Sequence, residues 1–145
     1  MKFIISLFLT SVLLSTSADE AQWLTDFSKA KKEAKRQDKN IMMYFTGSDW
    51  CGPCIMLKQD LFDSEEFKEL AKDYVLVKVD IPRRIDIISE EQMKKNRELL
   101  DDYNPQKVFP KIVFLNDRGK KIDQIEGYNS LRDPRNYFEM IKKHQ

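Results

Sequence analysis

The residues whose types and spacing could do chemistry lie in the segment Trp50-Cys51-Gly52-Pro53-Cys54, which contains both cysteines of the chain. A C-x-x-C pair of this kind is typical of thiol–disulfide exchange. In that chemistry one thiolate attacks a disulfide sulfur, and the second thiol then displaces the captured group. We therefore predict that Cys51 and Cys54 are catalytic.

Two other uses of the cysteine pair fit the sequence less well. A static structural disulfide would close so short a loop that it would constrain the unfolded chain little. A zinc site would need further ligands, but there is no second cysteine pair and the single histidine, His144, lies next to the C-terminus, where we expect it to be solvated. We expect no metal and no cofactor.

The elements around the pair predict its position in the fold. Residues 41–45 are almost wholly apolar and of strand length, as in a sheet covered on both faces. Apolar residues at helical spacing follow the pair, namely Ile55, Met56, Leu57, Leu61 and Phe62. Cys51 would then open a helix, where unpaired backbone N–H groups and the helix dipole favour a thiolate. We expect Cys51 to be the nucleophile and the more exposed cysteine.

The rest of the chain predicts an α/β domain with a mixed four-stranded sheet flanked by helices on both faces. The further strands are predicted at residues 74–80, 111–115 and 120–126, and the further helices at 21–37, 65–72, 89–102 and 134–143. Crossover helices between the first strands favour parallel pairing. The Asn-Asp-Arg-Gly turn at residues 116–119 favours a hairpin.

The first eighteen residues follow a secretory signal pattern. Lys2 gives a positive start, residues 3–14 are mostly apolar, and residues 15–18 are small residues suited to cleavage. The apolar run is short for a bilayer span, so a permanent membrane anchor is the weaker alternative. We predict a signal peptide at residues 1–18 and a domain at residues 19–145, exported to a periplasmic compartment where disulfides persist.

Composition limits the partners. The formal net charge is +1 and charged residues of both signs are interspersed, which argues against nucleic acid or an anionic membrane surface as the main partner. No segment looks like a dimerisation arm, so we expect a monomer.

With these residues in this order, residues 21–145 resemble the thioredoxin superfamily. The stretch 45–51, with Val77-Lys78-Val79-Asp80 downstream, is more similar to exported bacterial thioredoxin-like proteins of the DsbH type. The resemblance implies a thioredoxin fold in which a cis-proline opens the strand facing the redox pair. Phe109-Pro110 occupies that place, and the backbone beside Pro110 would be a docking edge for an extended substrate segment.

The chain departs from cytosolic thioredoxin in the strand before the redox turn. Thioredoxin carries a buried aspartate there, which is thought to help proton transfer, whereas this strand offers Tyr44 and Phe45. The turn before Trp50 is one residue longer. The dipeptide Gly52-Pro53, in contrast, matches the reducing thioredoxin pair and favours a reductase.

The predicted substrate-binding residues are those around the pair and the proline, namely Trp50, Gly52, Pro53, Phe109 and Pro110. Two of them have a structural alternative, because Trp50 could be a partly buried aromatic cap and Phe109 could simply fill the sheet. Asp49 could be an acid–base group or could satisfy the start of the helix.

The sequence thus predicts an exported thiol–disulfide oxidoreductase, most favourably a reductase of disulfide-containing proteins. By analogy with the family that it resembles, a membrane thiol transporter of the DsbD kind would supply its electrons. The alternatives are a disulfide oxidase or isomerase, or a non-enzymatic thioredoxin-fold accessory protein for cytochrome or metalloprotein assembly.

Overall fold

A computed structural model describes residues 21–145, so the predicted signal peptide lies outside the described residues. The strands are β1 (Trp23–Leu24), β2 (Asn40–Thr46), β3 (Tyr74–Asp80), β4 (Lys111–Leu115) and β5 (Lys121–Glu126). The helices are α1 (Phe27–Gln37), α2 (Gly52–Leu57), α3 (Glu65–Ala71), α4 (Glu90–Tyr103) and α5 (Arg135–Lys143). A π-helical turn, Lys58–Phe62, continues α2.

The strands form one mixed sheet in the order β1-β3-β2-β4-β5. The first three strands are parallel, while β4 is antiparallel to both β2 and β5. The predicted crossovers and hairpin are therefore confirmed. The central strand β2 ends at Thr46, so the sheet delivers the chain directly to the turn that carries the cysteines.

The sheet has five strands, not the predicted four, because the segment before α1 is extended. Trp23 and Leu24 pair with Leu76 and Val77 of β3, whereas the sequence predicted helix from residue 21. The helix begins only after Asp26, whose carboxylate accepts a 3.0 Å hydrogen bond from the backbone N–H of Lys29. This N-cap satisfies an otherwise unpaired donor and fixes the helix start.

Alternate side chains of β2 enter two separate hydrophobic cores. One core packs β2 against α2, α3 and α5, and includes Met42, Tyr44, Leu57, Phe67 and Ile141. The other packs it against α1 and α4, and includes Ala30, Ile41, Met43, Phe45 and Leu99. Helices therefore cover both faces, as predicted for an apolar central strand.

His144 packs against the sheet, so the expectation that it is solvated is wrong. Its Nε2 lies 2.8 Å from the carboxylate of Asp123 on β5, and its ring lies against Phe114 with centroids 5.1 Å apart. Asn40 also donates a 3.0 Å hydrogen bond to the His144 carbonyl.

Among residues 21–145, no helix has both the length and the apolar character that crossing a membrane requires.

Candidate functional site

Cys51 and Cys54 form a disulfide at the start of α2, with their Cα atoms 5.2 Å apart. Cys51 is the N-cap residue, and its sulfur accepts a 3.3 Å hydrogen bond from the backbone N–H of Cys54. Pro53 lies in the first turn, where its missing N–H leaves no helical bond unmade. In the reduced protein, the same N–H group and the helix dipole would stabilise a thiolate on Cys51.

Both sulfur-bearing residues are largely covered in this disulfide form. Cys51 is 4% exposed and Cys54 is 2% exposed, so Cys51 is the more accessible of the two by a small margin. Gly52 and Pro53 between them are exposed. Most of the exposed surface at the pair therefore belongs to the residues that adjoin the cysteines.

Trp50 is fixed between the residue that follows β3 and a residue that shortly precedes β4. Its indole Nε1 donates a 2.7 Å hydrogen bond to the Ile81 carbonyl, and its ring meets Phe109 edge-on with centroids 5.3 Å apart. The Arg83 guanidinium lies 4.9 Å above the indole. A Cβ on Gly47 would lie only 2.2 Å from the indole, so this close approach requires glycine.

The bond between Phe109 and Pro110 is cis, as the resemblance implied. Pro110 is buried at the start of β4, and its carbonyl accepts a 2.9 Å hydrogen bond from the N–H of Gly127. Phe109 is half-buried and packs against the second core as well as against Trp50. It therefore packs at the end of the sheet, beside the second core, and also supports the indole.

Asp49 does not cap α2, because Cys51 occupies that position. Its carboxylate instead accepts 2.9 Å hydrogen bonds from the backbone N–H groups of Arg83 and Arg84. Desolvation opposes ionisation of this carboxyl, but the two backbone donors outweigh it and hold the pKa of Asp49 below its usual value. Asp49 is therefore ionised at neutral pH and serves as an anchor for the loop after β3.

A protein-family model described as thioredoxin-like matches residues 22–117. The chain belongs to the thioredoxin-like family. It is 36% identical over 110 residues to the disulfide bond reductase DsbH of Chlamydia pneumoniae, a match that covers 75% of this chain and 64% of that one. A solved structure of a DsbH oxidoreductase superimposes with a TM-score of 0.72 at 31% identity, over 92% of each chain.

The thiol:disulfide interchange protein DsbD of Campylobacter jejuni is a more distant relative, 28% identical over 85% of this chain and 20% of its own length. The predicted thioredoxin fold and the predicted similarity to DsbH are thus confirmed. Family membership and the Cys51–Cys54 pair together support thiol–disulfide exchange as the chemistry of the site.

A cavity of about 430 Å³ lies beside Cys54, between α2 and the strands β1, β2 and β3 of the sheet. The Tyr44 hydroxyl reaches into this region and donates a long, 3.4 Å hydrogen bond to the Cys54 carbonyl. Burial raises the pKa of Tyr44 to about 12, so the hydroxyl stays protonated. Ile55, which the helical pattern placed on the apolar stripe, is 45% exposed at the cavity's rim.

The buried carboxylate nearest the redox turn comes from β3 and not from β2. Asp80 ends β3, and it accepts hydrogen bonds from both the backbone N–H and the hydroxyl of Ser48. The sequence gives no local signal for this contact, because the two residues are 32 positions apart.

Within the part of the chain that the structure describes, no group of three or more His, Cys, Asp or Glu side chains could hold a metal ion.

Proposed function

We propose that this chain is a protein-disulfide reductase that acts outside the cytosol. The observation that carries the proposal is the position of Cys51 at the start of α2, with the Cys54 N–H directed at its sulfur and Cys54 close enough to close a ring. A thiolate at this position is stabilised and can attack, while its neighbour can resolve the product.

The reaction has two exchange steps. The Cys51 thiolate attacks one sulfur of a substrate disulfide, which forms a mixed disulfide and releases the first substrate thiolate. Cys54 then loses its proton and attacks the Cys51 sulfur, which releases the second substrate thiolate and closes the Cys51–Cys54 bond. Two electrons pass from the protein to the substrate, and solvent protonates the released thiolates.

The direction of flow depends on the reduction potential of the pair. Potentials of such pairs run from about −270 mV for thioredoxin to about −120 mV for the oxidant DsbA. The Gly52-Pro53 dipeptide supports the reducing end of this range, and so does the relative named as a disulfide bond reductase. An oxidase or isomerase would lie toward the other end.

Substrate binding is assigned to the residues around the disulfide. Trp50, Gly52 and Pro53 flank Cys51, and Phe109 and Pro110 present the backbone that an extended substrate segment would follow. Such a segment would place its own cysteine over Cys51 through main-chain contacts, which fits disulfide-containing proteins of varied sequence.

The predicted signal pattern and the relatives support a proposal for the compartment and the electron source. The signal pattern at residues 1–18 supports export to the periplasm, where a reductase needs electrons from across the membrane. The similarity to DsbD supports a membrane thiol transporter of that kind as the donor. We take the working unit to be a monomer.

The test is reduction of insulin by the wild-type protein, by Cys51→Ser and by Cys54→Ser, with dithiothreitol as the electron source. Wild type should accelerate insulin precipitation and Cys51→Ser should not. In a separate incubation without dithiothreitol, prereduced Cys54→Ser should accumulate a mixed disulfide with insulin on a non-reducing gel, because the resolving thiol is missing. Equal activity of wild type and Cys51→Ser would remove the enzymatic assignment and leave a binding or chaperone role.

A further inference from the structure

The loop between β3 and α4, residues 81–88, is longer than a minimal connection and is held against the redox turn. Two consecutive backbone N–H groups of this loop, those of Arg83 and Arg84, donate to the carboxylate of Asp49. Asp49 is two residues before Cys51. The loop therefore has a fixed position relative to the disulfide.

Trp50 connects the same loop to the docking edge assigned above. Its indole N–H binds the Ile81 carbonyl, one face of the ring carries the Arg83 guanidinium, and its edge meets Phe109. The loop, the indole and Phe109 thus form one continuous strip of surface. A segment that follows the backbone beside Pro110 would continue onto the loop.

The same loop presents apolar side chains to solvent. Ile85 is 96% exposed and Ile87 is 38% exposed, and neither belongs to a buried core cluster. A single exposed isoleucine is ordinary in a soluble protein. Two of them on a loop that the redox turn holds in place, however, offer apolar area to whatever occupies the site.

The charge on the strip indicates what kind of partner fits. Arg84 is already paired with Asp86 within the loop. The Arg83 guanidinium lies on the Trp50 ring, and none of the described carboxylates forms an ion pair with it. A carboxylate on a bound segment would supply that partner and would gain a charge-assisted hydrogen bond.

We infer that residues 81–88 are a docking surface for protein substrates, and that it selects extended segments with an apolar and an acidic side chain near the target cysteine. This inference rests on the proposed reductase function and names the substrate class for that site. Ile85 would contact the apolar side chain, and Arg83 would contact the acidic one.

The experiment compares three disulfide-linked fluorogenic peptides and one small disulfide. The first peptide carries Leu and Glu within a few residues of its cysteine, the second has Gln in place of Glu, and the third has Ser in place of both. Hydroxyethyl disulfide reports the exchange chemistry without a docking segment. For each we measure the second-order rate constant of reduction by prereduced protein in a single turnover, with the reductant removed beforehand. The proteins are wild type, Ile85→Ser, Arg83→Gln and the matched control Leu131→Ser, which changes an 82% exposed leucine outside the loop.

Wild type should prefer the first peptide to the third. In Ile85→Ser, the ratio of the rate constant for the first peptide to that for hydroxyethyl disulfide should fall about tenfold, as expected for the loss of one apolar contact. Arg83→Gln should abolish the difference between the first and second peptides. Leu131→Ser should match wild type in every ratio.

Two results would overturn the inference in distinguishable ways. If wild type reduces hydroxyethyl disulfide but reduces the three peptides equally, or if Ile85→Ser leaves the ratios unchanged, the loop is not a docking surface while the reductase function stands. If wild type reduces neither the peptides nor hydroxyethyl disulfide, the proposed function fails and the docking surface fails with it.

Discussion

The carboxylate of Asp80 accepts two hydrogen bonds from Ser48, one from its backbone N–H at 3.0 Å and one from its hydroxyl at 2.6 Å. This contact joins the end of β3 to the turn that precedes the disulfide. The backbone of Asp80 is also fixed, because the Asn96 side chain of α4 donates a 2.7 Å hydrogen bond to its carbonyl. The end of β3 therefore holds the turn before the disulfide, and α4 in turn holds the end of β3.

We expect Asp80→Ala to lower the free energy of unfolding by about 1–3 kcal/mol, because the backbone N–H and the hydroxyl of Ser48 lose their acceptor. Urea unfolding of wild type, Asp80→Ala, Ser48→Ala and the double variant measures it. The double-variant cycle should give a coupling of at least about 0.5 kcal/mol. Strictly additive losses would show that the two side chains do not stabilise each other.

Gly47→Ala should displace the Trp50 indole, since the new methyl group would overlap the ring. The overlap and the loss of the bond to Ile81 should cost about 1–3 kcal/mol of stability. The indole N–H signal of Trp50 in a nitrogen-15 correlation spectrum should move. Gly52→Ala is the matched control, because nothing lies within 4 Å of the Cβ it would add. An unmoved indole signal in Gly47→Ala would contradict the geometry.

Acid should loosen the C-terminus through Asp123. Hydrogen bonds from Lys143, and then from His144, hold the pKa of Asp123 below its usual value. A carboxyl with a depressed folded pKa contributes stability that is present above the unfolded pKa, near 4, and is lost as the pH falls through the lower folded value. Asp123→Asn should therefore lose less stability than wild type below about pH 4. Parallel pH profiles of urea midpoints for the two proteins would rule out this contribution.

Lys111 follows the cis-proline, and its side chain is only 2% exposed. Its Nζ lies 3.3 Å from a carboxylate oxygen of Glu126, whose side chain is 42% exposed. Glu126→Gln should destabilise the protein by about 1–2 kcal/mol, less than for a fully buried pair because Glu126 is partly hydrated. Adding Lys111→Met should recover most of the loss, since methionine fills the same space without a charge. Thermal unfolding of both variants tests this, and no recovery in the double variant would show that the charge pair is unimportant.

The sequence predicted the fold where local signals were strong. The apolar runs of β2, β3 and β4 appeared with nearly their observed bounds, because buried strands leave little choice of residue type. Trp23–Leu24 was missed because a two-residue strand has no periodicity, and its pairing with β3 depends on partners far along the chain. His144 was misplaced for a similar reason, since its contact with Asp123 is a tertiary one.

The candidate site was likewise predicted in part, where a local motif was present. The cysteine pair and the position of Pro110 follow from a short motif and a resemblance, so they could be named from the sequence. The roles of Asp49 and Asp80 could not, because each is defined by a partner more than thirty positions away. A carboxylate in a turn has many possible partners, and only the folded chain selects one.

The proposed reductase function requires the Cys51–Cys54 dithiol to be reducing. The most direct measurement is the equilibrium of this pair against reduced and oxidised glutathione, with the thiols trapped by alkylation and counted by mass spectrometry. We predict a potential near that of thioredoxin, about −270 mV, so that the dithiol passes electrons to substrate disulfides. A value near that of DsbA, about −120 mV, would contradict the account and identify an oxidant instead.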